Sequence, residues 1–314
     1  MHVDRPTLGI ALMLLFCLFA PLADALAKML GESVPLLQVV AVRFVAQAVL
    51  LAALVAALGG SLAVPRDLAP VIVIRTLVHV AGIALMFLAL RYLPLADAIA
   101  IAYLMPFLVL VAGGLILGEE VGWRRLAACA VGFAGTLMVL QPSFRDVGLP
   151  ALLPVGVAVA FAAFMLLTRR VARAIGAVEL QAVNGLIGSA LLLPLVALAD
   201  GTGWSGLDPV MPDLRALWLL AGIGALGTAA HLALTWSLRF APTATVAPMQ
   251  YLEIPLAVLI GLVLFRELPG PLALIGIALV MGAGLYIILR EQRLAATGVR
   301  PEARPPQPPG PPAA

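Results

Sequence analysis

The chain has 314 residues, of which 63% are hydrophobic and only 11% charged, with a mean hydropathy of +1.12. Soluble domains carry about 25% charged residues, so this composition excludes a water-soluble globular fold and makes lipid the solvent. The net charge of +3 does not indicate nucleic-acid binding, because the basic residues stand at the ends of apolar runs and form no cluster with interleaved aromatics.

The apolar runs are continuous over about 20 residues rather than alternating, which predicts membrane-spanning helices and not a barrel. The expectation is an all-α polytopic membrane protein of about ten spans. The first, 7–29, follows Arg5 and is longer than the apolar part of a signal peptide, with no small-residue cleavage site at its end; it reads as an uncleaved span. It carries Asp24 and Lys28, whose i, i+4 spacing predicts an ion pair near its outer end. Cys17 lies in the same run and Cys129 in the fifth, where both read as small hydrophobes; no His/Cys cluster predicts a metal, and no cofactor is expected.

The second span, 35–58, places Arg43 two turns in, within reach of Asp24, either as a clamp or on a substrate path. In the third, 69–90, Arg75 and His79 share a face. Arg75 stands close enough to the cytoplasmic end to snorkel, while His79 lies near mid-membrane, hydrogen-bonded to a neighbour or placed to touch substrate or a proton. The fourth, 95–117, opens with Asp97 as a helix cap, contains Tyr103 and ends at Gly118-Glu119-Glu120. The fifth, 123–141, stops at Gln141-Pro142-Ser143; its Ala128, Gly132 and Gly135 predict close helix packing, as do Gly276, Ala278, Gly282, Ala283 and Gly284 of the tenth, 270–290.

The sixth span is 149–168. In the seventh, 178–199, Gln181, Asn184 and Gly185 either border a path or let helices approach. The eighth, 214–238, sets His231 on a face with Thr228 and Thr235. The ninth, 243–265, holds the sharpest candidate. Glu253 lies near the midplane with Gln250 one turn before it, Tyr251 beside it, and Pro248 and Pro255 bracketing it. An ionisable group inside a span costs roughly 2.5–3.5 kcal/mol, and a proline-broken helix at mid-depth is where transporters place their sites. Residues 301–312 contain seven prolines, so 291–314 reads as a disordered cytoplasmic tail.

With the N-terminus inside, the cytoplasmic segments hold twelve basic residues and the outer segments five, Lys28, Arg91, Arg145, Arg215 and Arg266; this predicts both termini in the cytoplasm. Sliding the chain by 148 residues aligns Leu90-Arg91-Tyr92-Leu93-Pro94 with Leu238-Arg239-Phe240-Ala241-Pro242. The same register brings Tyr103-Leu104 onto Tyr251-Leu252, Gly113 onto Gly261, Glu119 onto Glu267 and Gly122 onto Gly270. The shift carries span three onto span eight, and an odd displacement inverts the second copy. Two inverted five-helix repeats around a midplane site are a transporter architecture.

The halves resemble tandem EamA repeats of the drug/metabolite transporter superfamily, at 7–141 and 149–290. The resemblance is carried by Asp24 and Lys28, Arg43-Phe44, Leu117-Gly118-Glu119-Glu120, Thr168-Arg169-Arg170, Tyr251-Leu252-Glu253-Ile254-Pro255 and Phe265-Arg266-Glu267, with Arg266 standing where the pattern usually has glycine. It implies a multi-pass transporter of the bacterial inner membrane for a small organic metabolite, amino-acid-like, vitamin-like or nucleotide-like. With no Walker-type loop in the sequence, transport would run on exchange or an ion gradient, a proton being suggested by Glu253 and His79. Arg43 and Arg75 suggest an anionic group on the substrate. A homodimer is left open. The competing readings are an intramembrane hydrolase pairing Ser189 with His231, which lacks a flanking motif and a third orienting group, and a receptor or scaffold, which gives the repeat no purpose.

Overall fold

The computed structural model describes residues 6–105, 107–109, 123–171, 174–204, 206–240 and 249–296. Among these residues the regular structure is entirely helical: α1 (Pro6–Leu30), α2 (Leu36–Ala57), α3 (Ala69–Ala89), α4 (Leu95–Ala102), α5 (Trp123–Val147), α6 (Leu153–Val171), α7 (Ala177–Ala199), α8 (Leu214–Phe240), α9 (Glu253–Ile260) and α10 (Pro271–Ala296). Seven helices are long and apolar enough to cross a bilayer, and the segments Leu95–Val109, Glu253–Phe265 and Pro271–Tyr286 are shorter apolar helices. Pro35 and Pro94 stand immediately before α2 and α4 in extended conformation, where a missing N–H costs nothing.

The helices pair α1 with α8, α3 with α6, α2 with α7, α4 with α9 and α5 with α10. Exchanging each helix with the one five places along leaves this pattern unchanged: α1–α8 becomes α6–α3, and the other three pairs map onto themselves. The weaker contacts α1–α9 and α4–α6, and α2–α8 and α3–α7, exchange in the same way. A duplicated chain folded about a pseudo-two-fold axis gives this symmetry. Small residues make the tightest crossings. A Cβ on Gly135 would stand 2.8 Å from the Gly276 carbonyl oxygen, and one on Gly276 would stand 2.5 Å from that of Gly135, so α5 and α10 meet backbone to backbone. A Cβ on Gly185 would likewise stand 2.6 Å from the Ala48 nitrogen, and its absence lets α7 seat on α2.

Three boundaries differ from the sequence expectation. α5 runs through Gln141-Pro142-Ser143, and the chain turns instead at Gly148, whose φ of +70° is one that glycine adopts freely, before the short 3-10 turn Leu149–Leu152. α10 continues to Ala296, into the segment expected to be disordered from residue 291; residues 297–314 lie outside the described residues, as do Glu119, Glu120, Gly113, Gly122 and Pro248. Asp97 does not cap α4: it accepts a hydrogen bond from Ser143 Oγ of α5 at 3.2 Å, while the Leu95 N–H at the helix start lies 3.4 Å from Glu267 Oε2.

Glu267 is brought there by the end of the ninth segment. α9 widens into a π turn, Gly261–Phe265, closed by Arg266 at φ +57° with the Glu267 N–H bonded to the Gly261 carbonyl at 3.1 Å. A side chain in the left-handed region costs roughly 1–2 kcal/mol, so Arg266→Gly is expected to stabilise the protein by about 1 kcal/mol, less the entropy glycine adds to the unfolded chain. A higher apparent melting temperature in detergent checks this; a lower one would show that the Arg266 side chain contributes more than its backbone costs.

Candidate functional site

The two copies of the Tyr-Leu dipeptide interrupt their helices at the same repeat position. α4 ends at Ala102 and the chain turns at Tyr103-Leu104; residues 249–250 are helical, Tyr251-Leu252 turn, and α9 starts at Glu253. An interrupted helix leaves carbonyls without intrahelical donors, and inside a bilayer these must be satisfied by side chains. Here Tyr103 reaches across from the first repeat: its hydroxyl bonds the Gln250 carbonyl and also lies 2.8 Å from Glu253 Oε2. Cys17 Sγ of α1 bonds the Met249 carbonyl at 3.2 Å. Tyr251 is not a cavity residue, contrary to its symmetry with Tyr103. Its ring sits on the bare Cα of Gly284, where a Cβ would overlap it, and packs 5.3 Å from the Tyr103 ring.

A cavity of ≈ 140 Å³ lies beside this break. Water takes up about 30 Å³ per molecule in the liquid, so there is room for roughly five waters or for part of a small organic molecule. Phe16, Phe87, Phe161 and Phe164 make much of its wall, and its polar groups are Asp24, Arg43, Tyr103, His231, Gln250 and Glu253. The Arg43 guanidinium donates to Gln47 Oε1 at 2.8 Å and to the Gly227 carbonyl at 3.1 Å, and it lies against Gly227, where a Cβ would stand 2.4 Å from its Nε. Of its five N–H groups, these two bonds leave three to be met by Asp24 or by an occupant. Asp24, on the wall of the same cavity, makes no hydrogen bond or ion pair among the described residues. The expected Asp24–Lys28 pair is not formed. Lys28 Nζ instead meets both Glu267 oxygens at 2.7 Å and the Leu93 carbonyl at 2.8 Å, because the Arg266 turn carries Glu267 to the end of α1.

The EamA-like transporter pattern matches residues 7–141 and 149–290, most of the chain. The chain belongs to the EamA-like transporter family. Among its relatives, it is 35% identical over 222 residues to a riboflavin transporter of Rhizobium johnstonii, with 70% of each chain covered. It is also 25% identical over 289 residues to an S-adenosylmethionine uptake transporter of Rickettsia bellii, covering 91% of this chain and 95% of that one. A solved crystal structure shares the fold with a TM-score of 0.63 at 23% identity, over 92% of this chain and 97% of the other.

In this EamA protein the remaining polar candidates form a network behind the cavity wall. Arg75 is 1% exposed and does not snorkel. Its Nε donates to Thr168 Oγ1 at 2.8 Å, its Nη1 to Asn184 Oδ1 at 3.1 Å, and its guanidinium stacks 4.3 Å from the Phe164 ring, which stands between it and the cavity. Because arginine can only donate, Asn184 turns its amide nitrogen to His79 Nδ1, 2.9 Å away. His79 packs against Phe44, Phe164 and, at 4.8 Å between ring centroids, His231. His79 Nε2 and His231 Nδ1 are both buried and have no partner among the described residues. Ser189 donates to the Gly185 carbonyl at 2.7 Å, so the hydrolase-like pair with His231 is not made. Gln47 was not singled out in the sequence, although its place one turn after Arg43 signals it. Besides accepting from Arg43, it donates to the Gln181 carbonyl at 2.8 Å and ties α2 to α7.

Proposed function

We propose that this chain is a secondary active transporter working by alternating access, with ten spans in two inverted five-helix repeats, both termini cytoplasmic, and its substrate held in the cavity beside the α4 and α9 interruptions. The observation that carries this is the convergence of Asp24, Arg43, Tyr103, Gln250 and Glu253, from both repeats, on one aromatic-walled space next to two broken helices. The Arg43 guanidinium meets an anionic or acceptor group of the substrate, and Asp24 takes a donor or cationic group, which favours a polar metabolite carrying both over a purely cationic drug. Arg75, expected to help attract the anion, acts at one remove by holding Asn184 and Thr168. Glu253 is the coupling group, carrying a proton in one facing state and none in the other.

Riboflavin and S-adenosylmethionine, named for the relatives, are the first probes. Uptake and efflux of each by cells expressing the chain, with labelled amino acids alongside, test the reading: flux above that of cells lacking it is expected for at least one. Reporter fusions at residue 314 and within 200–213 are expected to report cytoplasm and periplasm respectively. The opposite pair of signals would overturn the orientation.

A further inference from the structure

We propose that Tyr103 reads the protonation state of Glu253 and passes it to the contact between the repeats: its hydroxyl holds the Gln250 carbonyl while Glu253 is protonated and swings to the carboxylate when the proton leaves. This rests on Glu253 being the coupling group. The argument is a count of hydrogens. The phenol owns one hydrogen, yet its oxygen lies within bonding distance of two acceptors, the Gln250 carbonyl and Glu253 Oε2. One O–H cannot point at both, and an unshared contact would press two acceptor oxygens together. Both contacts are satisfied when Glu253 is the acid: its Oε2–H donates to the tyrosine oxygen, and the tyrosine O–H donates to the Gln250 carbonyl.

Loss of the proton changes the pattern in one step. The Glu253 O–H bond breaks, the proton passes to water in the cavity, and the carboxylate becomes an acceptor only. Tyr103 then turns its O–H from Gln250 to Glu253 Oε2, and no other bond forms or breaks. The Gln250 carbonyl, at the interruption, loses the Tyr103 hydroxyl and keeps from the first repeat only the Cys17 thiol, 4.0 Å away. A part-buried carbonyl that loses its strongest donor favours rearrangement at this break. The titratable or charged groups facing Glu253 are Cys17 and Asp24 of α1 and Tyr103 at the turn after α4, with Arg43 and His231 across the cavity. Lys28 and Asp97, on the same two packed helices, are engaged with Glu267 and Ser143.

Infrared difference spectra of the full-length protein in lipid, recorded against pH, test this without knowledge of the substrate. The wild type is expected to show a protonated-carboxyl band that Glu253→Gln removes, and a tyrosine band that shifts as the carboxyl band titrates; Tyr103→Phe is expected to abolish the tyrosine shift. In vesicles, Tyr103→Phe is expected to reduce pH-gradient-driven accumulation of riboflavin or S-adenosylmethionine about tenfold, the size expected from one lost bond to a charged group, and by a larger factor than it lowers exchange at equal pH. A Glu253 band that titrates with no tyrosine change, or wild-type accumulation by Tyr103→Phe, would overturn the proposal. If wild-type protein moves neither probe yet shows the paired bands, the transport reading loses support and the hydrogen-bond switch stands.

Discussion

Glu253→Gln is expected to abolish accumulation driven by a pH gradient while leaving substrate binding and exchange in place. The amide keeps the shape of the carboxyl and, through its N–H, can donate to the Tyr103 oxygen as the protonated acid does, but it has no proton to release. The side chain is buried at the start of α9 and lines the cavity, so the substitution fixes one hydrogen-bond pattern and creates no void. The measurement is uptake into reconstituted vesicles with and without an imposed pH gradient, beside exchange at equal pH. Unchanged gradient-driven uptake would reduce Glu253 to a structural residue. Loss of exchange as well would make it a substrate ligand.

Arg43→Ala is expected to lower substrate flux at least tenfold, and Arg43→Lys is expected not to restore it. Arg43 is 2% exposed, its guanidinium is bonded to Gln47 and Gly227, and the residue lines the cavity. Hydrogen bonds to a charged group contribute about 1.5–3 kcal/mol, and a lysine ammonium cannot reproduce the planar fork. Arg75→Ala serves as the comparison. It removes the ties to Thr168 and Asn184 behind the wall, so it is expected to lower stability in detergent more than substrate affinity. Affinity that falls equally in both variants would assign Arg75 a direct part in binding, and wild-type flux by folded Arg43→Ala would remove the electrostatic argument.

What the sequence made legible was what depends on spacing along one helix or on comparison between the copies. Continuous apolar runs gave the helices, Pro248 and Pro255 pointed to a break in the ninth segment, and the glycines of α5 and α10 marked a backbone crossing; the matching break at Tyr103-Leu104 was not expected, since 95–117 read as one span. What it missed depends on which helices become neighbours. Asp24 and Lys28 are one turn apart, but Lys28 is taken by Glu267 from 239 residues away, a partner delivered by a π turn and a left-handed arginine that no local pattern signals. Arg75 sits near enough to a helix end to snorkel, and only the packing of α3 on α6 and α7 supplies the oxygens that keep it inside. Tyr251 shares its repeat position with Tyr103, yet the small residue waiting for its ring, Gly284, turns it away from the cavity.

The most direct measurement is exchange in proteoliposomes. Purified protein in vesicles preloaded with unlabelled riboflavin or S-adenosylmethionine, and placed in a trace of the labelled compound, should accumulate label transiently above its outside concentration. No substrate-free vesicle should do so, and vesicles carrying Arg43→Ala should do so far less. Transient accumulation by the wild type and its loss in the variant is the result predicted for a cavity that is exposed to each side in turn; label that only equilibrates, at the same rate with and without protein, would contradict it.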